Sequence, residues 1–220
     1  MKIAIDGPAG AGKSTISKGA AKRLGFVYID TGAMYRAIGL AAVRRGIDTS
    51  DAEGVKAILD DVEVSIRHDE SGQLIFLNGE DVSTDIRLPE ISVAASNVAV
   101  IPEVRLKLVE LQRKLAADTD VIMDGRDIGT YVLPDAELKI FLTATVEERA
   151  NRRCRELREK GVETDFEAVK KDMEYRDKND SGREFAPLKP AGDSVYMDNT
   201  DMTLEESIDK VCELARAERE

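Results

Sequence analysis

Glycine, lysine and hydroxyl residues stand at fixed spacing near the start of the chain. Gly7-Pro8-Ala9-Gly10-Ala11-Gly12-Lys13-Ser14 follows directly on the short apolar run Ile3-Ala4-Ile5-Asp6. A strand that breaks into glycines and restarts as a helix turns several backbone N–H groups toward one point, where the oxygens of a di- or triphosphate accept them and the helix dipole adds attraction. Lys13 then reaches the outer phosphates, and the Ser14 hydroxyl holds Mg²⁺. An accidental glycine turn capping a helix is the bland alternative; the strand before the loop and the long helical run after it argue against it. The overlapping Gly10-Ala11-Gly12-Lys13-Ser14-Thr15 half-matches a dinucleotide fingerprint, with Asp30 at the distance of a ribose-binding acid. That reading fails at Thr15, where close helix packing needs Gly or Ala.

Further polar constellations follow. Asp30-Thr31-Gly32-Ala33-Met34-Tyr35-Arg36 comes after one apolar run and Asp124-Gly125-Arg126-Asp127-Ile128-Gly129-Thr130 after another, with Ser96 and Arg105 between them. Arg176, Asp180 and Arg183 are spaced by four and then three residues, so a helix brings them together. Taken singly, Asp30-Thr31 reads as a helix cap and Asp124 to Asp127 as a turn. Arg149, Arg152, Arg153, Arg155 and Arg158 put five arginines within ten residues. A solvated helix laced by Glu148 with Arg152 and Glu156 with Lys160 would account for part of that cluster. Lysine would serve such a face equally well, however, whereas phosphate clamps favour the arginine fork.

These groups need a frame. Apolar runs at Ile3–Ile5, Phe26–Ile29, Val121–Met123, Leu138–Leu142 and Val195–Met197 read as strands. Between them, Ser14–Leu24, Met34–Arg44, Val104–Ala116, Val146–Arg158 and Leu204–Ala217 carry helical spacing. The alternation predicts an α/β fold: an open parallel sheet flanked by helices with right-handed crossovers, and ligands at the carboxyl ends of the strands. One segment departs from it. Val62, Val64 and Ile66 alternate with polar residues, Asp69 to Gly72 reads as a turn, Leu74–Leu77 as a strand, and Asn78-Gly79 as a type I′ hairpin turn leading into Glu80–Val82. This predicts a small antiparallel insert.

The 220 residues allow a sizeable core, and a net charge of −11 disfavours nucleic acid and anionic membranes as partners. Screening within about 8 Å lets a few arginines in direct contact outweigh distant carboxylates toward a phosphate ligand. Cys154, Cys212 and the single His68 offer no zinc or disulfide pattern, so both cysteines read as small buried side chains. The N-terminal run is too early broken for a signal peptide, and no apolar run is long enough for a bilayer. A reducing, cytoplasmic setting is expected.

Together, Gly7–Thr15, Asp30–Arg36, the antiparallel insert, Asp124–Thr130 and the run Arg176-Asp177-Lys178-Asn179-Asp180-Ser181-Gly182-Arg183 with Ala186-Pro187-Leu188 resemble, nearly end to end, bacterial-type cytidylate kinases of the nucleoside monophosphate kinase family. The resemblance implies a phosphate-loop (P-loop) kinase that uses ATP and Mg²⁺ to phosphorylate CMP or dCMP and acts as a monomer. It implies a core of 1–60, 99–146 and 191–220, a monophosphate-binding insert at 61–98 and an arginine-rich helical lid at 147–190. Gly7, Pro8, Ala9, Gly10, Ala11, Gly12, Lys13, Ser14 and Thr15, with Arg149 and Arg153 of the lid, would bind ATP. Thr31, Tyr35, Arg36, Arg126 and Arg183 would line the monophosphate side; Ser96, Arg105 and Asp127 would read the cytosine edge; Arg176 and Asp180 would contact sugar and phosphate. Lys13, Arg126, Arg176 and Arg183 would carry the catalytic charge. Ser14 would hold Mg²⁺, with Asp30 and Asp124 orienting it through water.

The residue inventory supports this independently. A nucleoside monophosphate, with its second pKa near 6, is already a competent nucleophile and needs no general base. Cytosine offers an amine donor beside acceptors, which Asp127, Ser96 and Arg105 match in type; uracil would set an oxygen against Asp127. An alcohol-phosphorylating metabolite kinase, with Asp30 or Asp124 as its base, remains a rival, as does a kinase of another monophosphate. A guanine-nucleotide switch is disfavoured because no Asn-Lys-x-Asp motif occurs. A nucleic-acid motor is disfavoured by the acidic balance and the lack of Trp.

Overall fold

The computed structural model describes residues 1–69, 72–159 and 161–219. The chain forms two compact units, Met1–Val27 with Thr119–Glu220, and Tyr28–Asp118.

In the first unit, β1 (Lys2–Asp6) leads into α1 (Lys13–Leu24), and β2 (Val27–Asp30) begins at its last residue. The sheet order is β2-β6-β1-β7-β8, with β6 at Val121–Gly125, β7 at Leu138–Thr143 and β8 at Val195–Asp198. β1 runs parallel to β6 and β7, and β7 parallel to β8. Val27 joins the edge by donating its N–H to the Asp120 carbonyl at 2.9 Å. Ile3, Ala4 and Ile5 are fully buried, as expected of a central strand covered on both faces. α1 packs against β1 and β6, α8 (Leu204–Ala217) packs on α1, and α6 (Val146–Glu159) pairs with α7 (Phe166–Ser181). α8 starts at a capping box in which Thr203 and Glu206 bond each other's backbone N–H. Its Ile208 lies where a side chain on Gly19 would be, so α1 and α8 pack closely.

The second unit holds α2 (Thr31–Arg44), α3 (Ala52–Ile58), β3 (Val64–Asp69), β4 (Gly72–Leu77), β5 (Glu80–Asp81), α4 (Pro89–Val98) and α5 (Pro102–Leu115). The expected antiparallel insert is the β3-β4-β5 sheet. Asn78 and Gly79 take φ of 50° and 83°, the positive pair a type I′ turn requires. Of the turn expected at Asp69 to Gly72, Glu70 and Ser71 lie outside the described residues. α3 and α4 are additions to the expected helices: α3 has only seven residues with Gly54 among them, and α4 buries Ile91, Ala94 and Val98 along one side while the apolar Val93 on the other is exposed. Cys154 and Cys212 are buried free thiols. Among the described residues no helix is long and apolar enough to cross a membrane.

Candidate active site

The loop between β1 and α1 has the expected shape, and neighbouring backbone explains why. At Gly7 a Cβ would stand 1.9 Å from the Leu142 carbonyl oxygen of β7. Gly10 and Gly12 take φ of 75° and 87°, conformations that a side chain disfavours. Lys13 is buried and its Nζ donates to the Pro8 carbonyl at 2.7 Å. The Ser14 Oγ donates to Asp124 Oδ2 at 3.0 Å, at the end of β6.

Past β6, Arg126 donates Nε to Asp180 Oδ2 at 2.7 Å. Asp180 Oδ1 lies 3.7 Å from Arg183 Nη2. α7 ends at Ser181, so Arg183 reaches Asp180 from beyond the helix and not, as its spacing predicts, from a further turn of it. Arg176, one turn earlier, lies 3.9 Å from Asp172. Asp127 is 4% exposed and opens a single wide turn at Ile128–Val132.

Charge is tuned throughout this cluster. Burial, then the Arg126 guanidinium, pull the Lys13 ammonium down to about 7, against the opposing pull of Asp124, Asp180 and Asp6. Burial weighs against ionisation of Asp180, but Arg126 and Arg183 outweigh it and hold its carboxyl below the ordinary range. Burial pushes the Asp6 carboxyl up to about 7, although it accepts the N–H groups of Gly129 and Ile128.

The arginine-rich helix divides its labour. Arg149, expected over ATP, is 6% exposed: its Nε donates to Ala144 O at 3.0 Å and its Nη1 to Ala9 O of the loop at 2.8 Å. Its Nη2 pairs with Asp177 of α7 at 2.7 Å. Met173 of α7 fills the space beside Gly10, 2.8 Å from where a Cβ would be. Arg153 is partly exposed and pairs with Glu156 at 2.8 Å, so it and Arg149 meet different surroundings. Lys160, the expected partner of Glu156, lies outside the described residues. Arg152 bonds Glu148, as spacing suggests, and also the side chain and carbonyl of Asn199. Asn199 Nδ2 in turn donates to Ala11 O at 3.1 Å.

In the second unit, Asp30 caps α2: its Oδ1 accepts the Ala33 N–H at 3.0 Å. Thr31 is buried in the first turn, with Tyr35 and Arg36 half-buried one turn on. Arg105 of α5 is 1% exposed. Its guanidinium lies 5.5 Å from the Tyr35 ring centroid and donates to Ala99 O at 3.2 Å, a cation held on an aromatic face. Ser96 is half-buried on α4.

Among the described residues no three His, Cys, Asp or Glu side chains converge as a metal cage. Mg²⁺ does not need one: it keeps its waters and takes one or two protein oxygens plus phosphate. The adjoining Ser14 hydroxyl and Asp124 carboxylate are donors of that hard type and fit it. Asn199 and Met173 enter the site from outside the motif pattern, and Asp6, Arg152 and Asp177, which stand in quoted runs, carry no site role in the sequence reading. A charged residue ending the buried apolar run Ile3–Ile5 was the one signal available for Asp6, and a polar residue just past the end of β8 the one for Asn199.

Residues 3–217 match the family model described as cytidylate kinase. The chain is 56% identical over 214 residues to the cytidylate kinase of Caldicellulosiruptor saccharolyticus, spanning 97% of this chain and 95% of that protein. It is 52% identical over 216 residues to the cytidylate kinase of Caldanaerobacter subterraneus subsp. tengcongensis, spanning 98% and 95%. Among solved structures, a gluconokinase from Sinorhizobium meliloti is similar in fold, with a TM-score of 0.50 at 14% identity over 99% of this chain and 93% of that one.

Proposed function

The chain belongs to the cytidylate kinase family, and from that premise we infer that it transfers the γ-phosphoryl group of ATP to CMP and dCMP, giving CDP and dCDP. One observation carries the reading beyond family membership: Asp124 near the end of β6 holds the phosphate-loop Ser14 at 3.0 Å, and Arg126, two residues on, is fixed on Asp180 at 2.7 Å. A phosphate loop and a fixed guanidinium carried two residues apart from the same strand end suit a reaction in which charge moves between two phosphates.

The loop amides and Lys13 hold the outer phosphates of ATP, with Arg149 and Arg153 on the lid side. Ser14 and Asp124, with Asp30 through water, are the groups that would hold Mg²⁺, which would supply positive charge to neutralise the phosphates. Arg126, Arg176 and Arg183 grip the acceptor phosphate and the moving phosphoryl group, while Asp180 orients two of these guanidiniums and meets the sugar. Thr31, Tyr35 and Arg36 serve the monophosphate; Ser96, Arg105 and Asp127 serve the base. Residues 61–98 act as the monophosphate-binding insert and 147–190 as a lid that excludes water when both ligands are bound. The enzyme works in the cytoplasm as a monomer, with neither nucleic acid nor membrane as partner.

The test is ADP release from ATP and Mg²⁺ with a panel of CMP, dCMP, UMP, AMP and small alcohols. CMP and dCMP should be turned over, and UMP more slowly by about 10²-fold or more. Equal turnover of UMP removes Asp127 as base reader; a response to an alcohol alone, or to no acceptor, overturns the reading.

A further inference from the structure

The β1–β6 ladder closes with Asp6 opposite Gly125. Beyond that rung both strands leave the sheet, β1 into the phosphate loop and β6 into Arg126 and Asp127. The N–H groups of Ile128 and Gly129 lie past the last rung, and Asp6 takes both: Oδ1 accepts from Ile128 and Oδ2 from Gly129, each at 2.7 Å. The side chain spans 122 residues of sequence to do so and is 5% exposed. Burying a carboxylate is costly, and an apolar residue would serve the strand's packing better; what the aspartate adds is a fork that fixes both distance and rotation.

The held segment is stiff enough to transmit that constraint. The carbonyl of Asp127 accepts the N–H groups of Tyr131 and Val132, and that of Ile128 accepts Leu133, so the wide turn moves as one piece. Gly129 fits closely: a Cβ there would stand 3.4 Å from Asp6 Oδ2 and 3.2 Å from the Lys139 stem. At the far side of the turn, Tyr131 meets Phe185 edge-on at 4.9 Å, two residues beyond Arg183.

We propose that Asp6 is a positioning residue for phosphoryl transfer: by clamping the amides of Ile128 and Gly129, it locks the loop that carries Arg126 and Asp127 to the strand that feeds the phosphate loop. This rests on the assignment of Arg126 to the acceptor phosphate. Asp6 touches no substrate; it acts through where Arg126 stands.

Asp6→Asn tests it, because Asn has the same size but only one acceptor, its NH₂ facing the other amide. Misplacement of a clamp by about 1 Å costs on the order of 10²-fold, so kcat should fall about 10- to 100-fold while KM for ATP stays within about twofold. The decisive readout is a double-mutant cycle with Arg126→Ala. In that background Asp6→Asn should lower kcat by less than about threefold. An equal fold-loss in both backgrounds means general loosening and overturns the proposal. Wild-type kcat in Arg126→Ala alone removes the assignment of Arg126, and the proposal with it; that failure is seen without Asp6 being touched. Should Asp6→Asn not fold, amide hydrogen exchange of the wild-type protein decides. Ile128 and Gly129 should exchange as slowly as the amides of β6, and exchange at the rate of an exposed loop overturns the clamp.

Discussion

Arg126 and Asp180 meet with Nε 2.7 Å from Oδ2, and Asp180 keeps a second guanidinium, Arg183, at 3.7 Å. Removing Arg126 therefore does not strand the carboxylate. Arg126→Ala should lower kcat/KM by about 10²–10³, the effect expected of a lost electrostatic clamp. Its thermal midpoint should fall by no more than about 2–4 °C, as for the loss of about 1 kcal/mol. Steady-state kinetics beside calorimetric melting checks both; full activity rejects the clamp.

Lys13 sits near 7, against its ordinary 10.5. Phosphate oxygens at its Nζ favour the charged form, so at pH 8 ATP binding should take up as much as about one proton. Titration calorimetry in buffers of different ionisation enthalpy measures this, and Lys13→Met should abolish it. The same shift sets a sign for stability. Between about 7 and 10.5 the unfolded chain holds more protons at Lys13 than the folded one, so this residue's contribution rises with pH across that window.

Gly7 and Gly25 make a matched pair of substitutions. A Cβ on Gly7 would collide with a strand carbonyl, whereas Gly25, at φ 71° in the cap of α1, has nothing within 4 Å. Gly25→Ala should cost about 1–2 kcal/mol of backbone strain. Gly7→Ala should cost about 3 kcal/mol or more, because a backbone atom cannot step aside as a side chain can, and should lose ATP binding as well. Equal midpoints in denaturant titration would refute the contact with Leu142.

Asp30 has a structural duty that can be separated from any role toward Mg²⁺. Its cap on α2 predicts a loss of about 0.5–2 kcal/mol for Asp30→Ala, and almost none for Asp30→Asn, since Asn caps as well. If the Asn variant keeps its stability yet needs more Mg²⁺ for half-maximal rate, the charge itself matters. Unchanged Mg²⁺ dependence leaves Asp30 as a cap alone.

Much was legible because it is written locally. The glycines at positions 7 to 12 require special backbone conformations, Asn78-Gly79 requires two positive φ values, and the strand–helix alternation follows from periodicity; none needs a distant partner to be read. α3 escaped because seven residues span too few turns to show a period, and α4 because the exposed apolar Val93 blurs the short stripe of Ile91, Ala94 and Val98. The roles inside the site were less visible. Arg149 stands in a run of arginines that reads as one class, yet packing turns it inward onto Ala9 and Asp177 while Arg153 stays partly exposed.

The sequence by itself determined the phosphate loop, the α/β class and the antiparallel insert, all products of short-range preference. Long-range packing set the rest: Asp6 holds Ile128 and Gly129, Asn199 reaches Ala11 across 188 residues, and Asp180 holds Arg126. A hydrogen bond between strand ends depends on which strands the packed core sets side by side, and that order leaves no periodic trace in the chain.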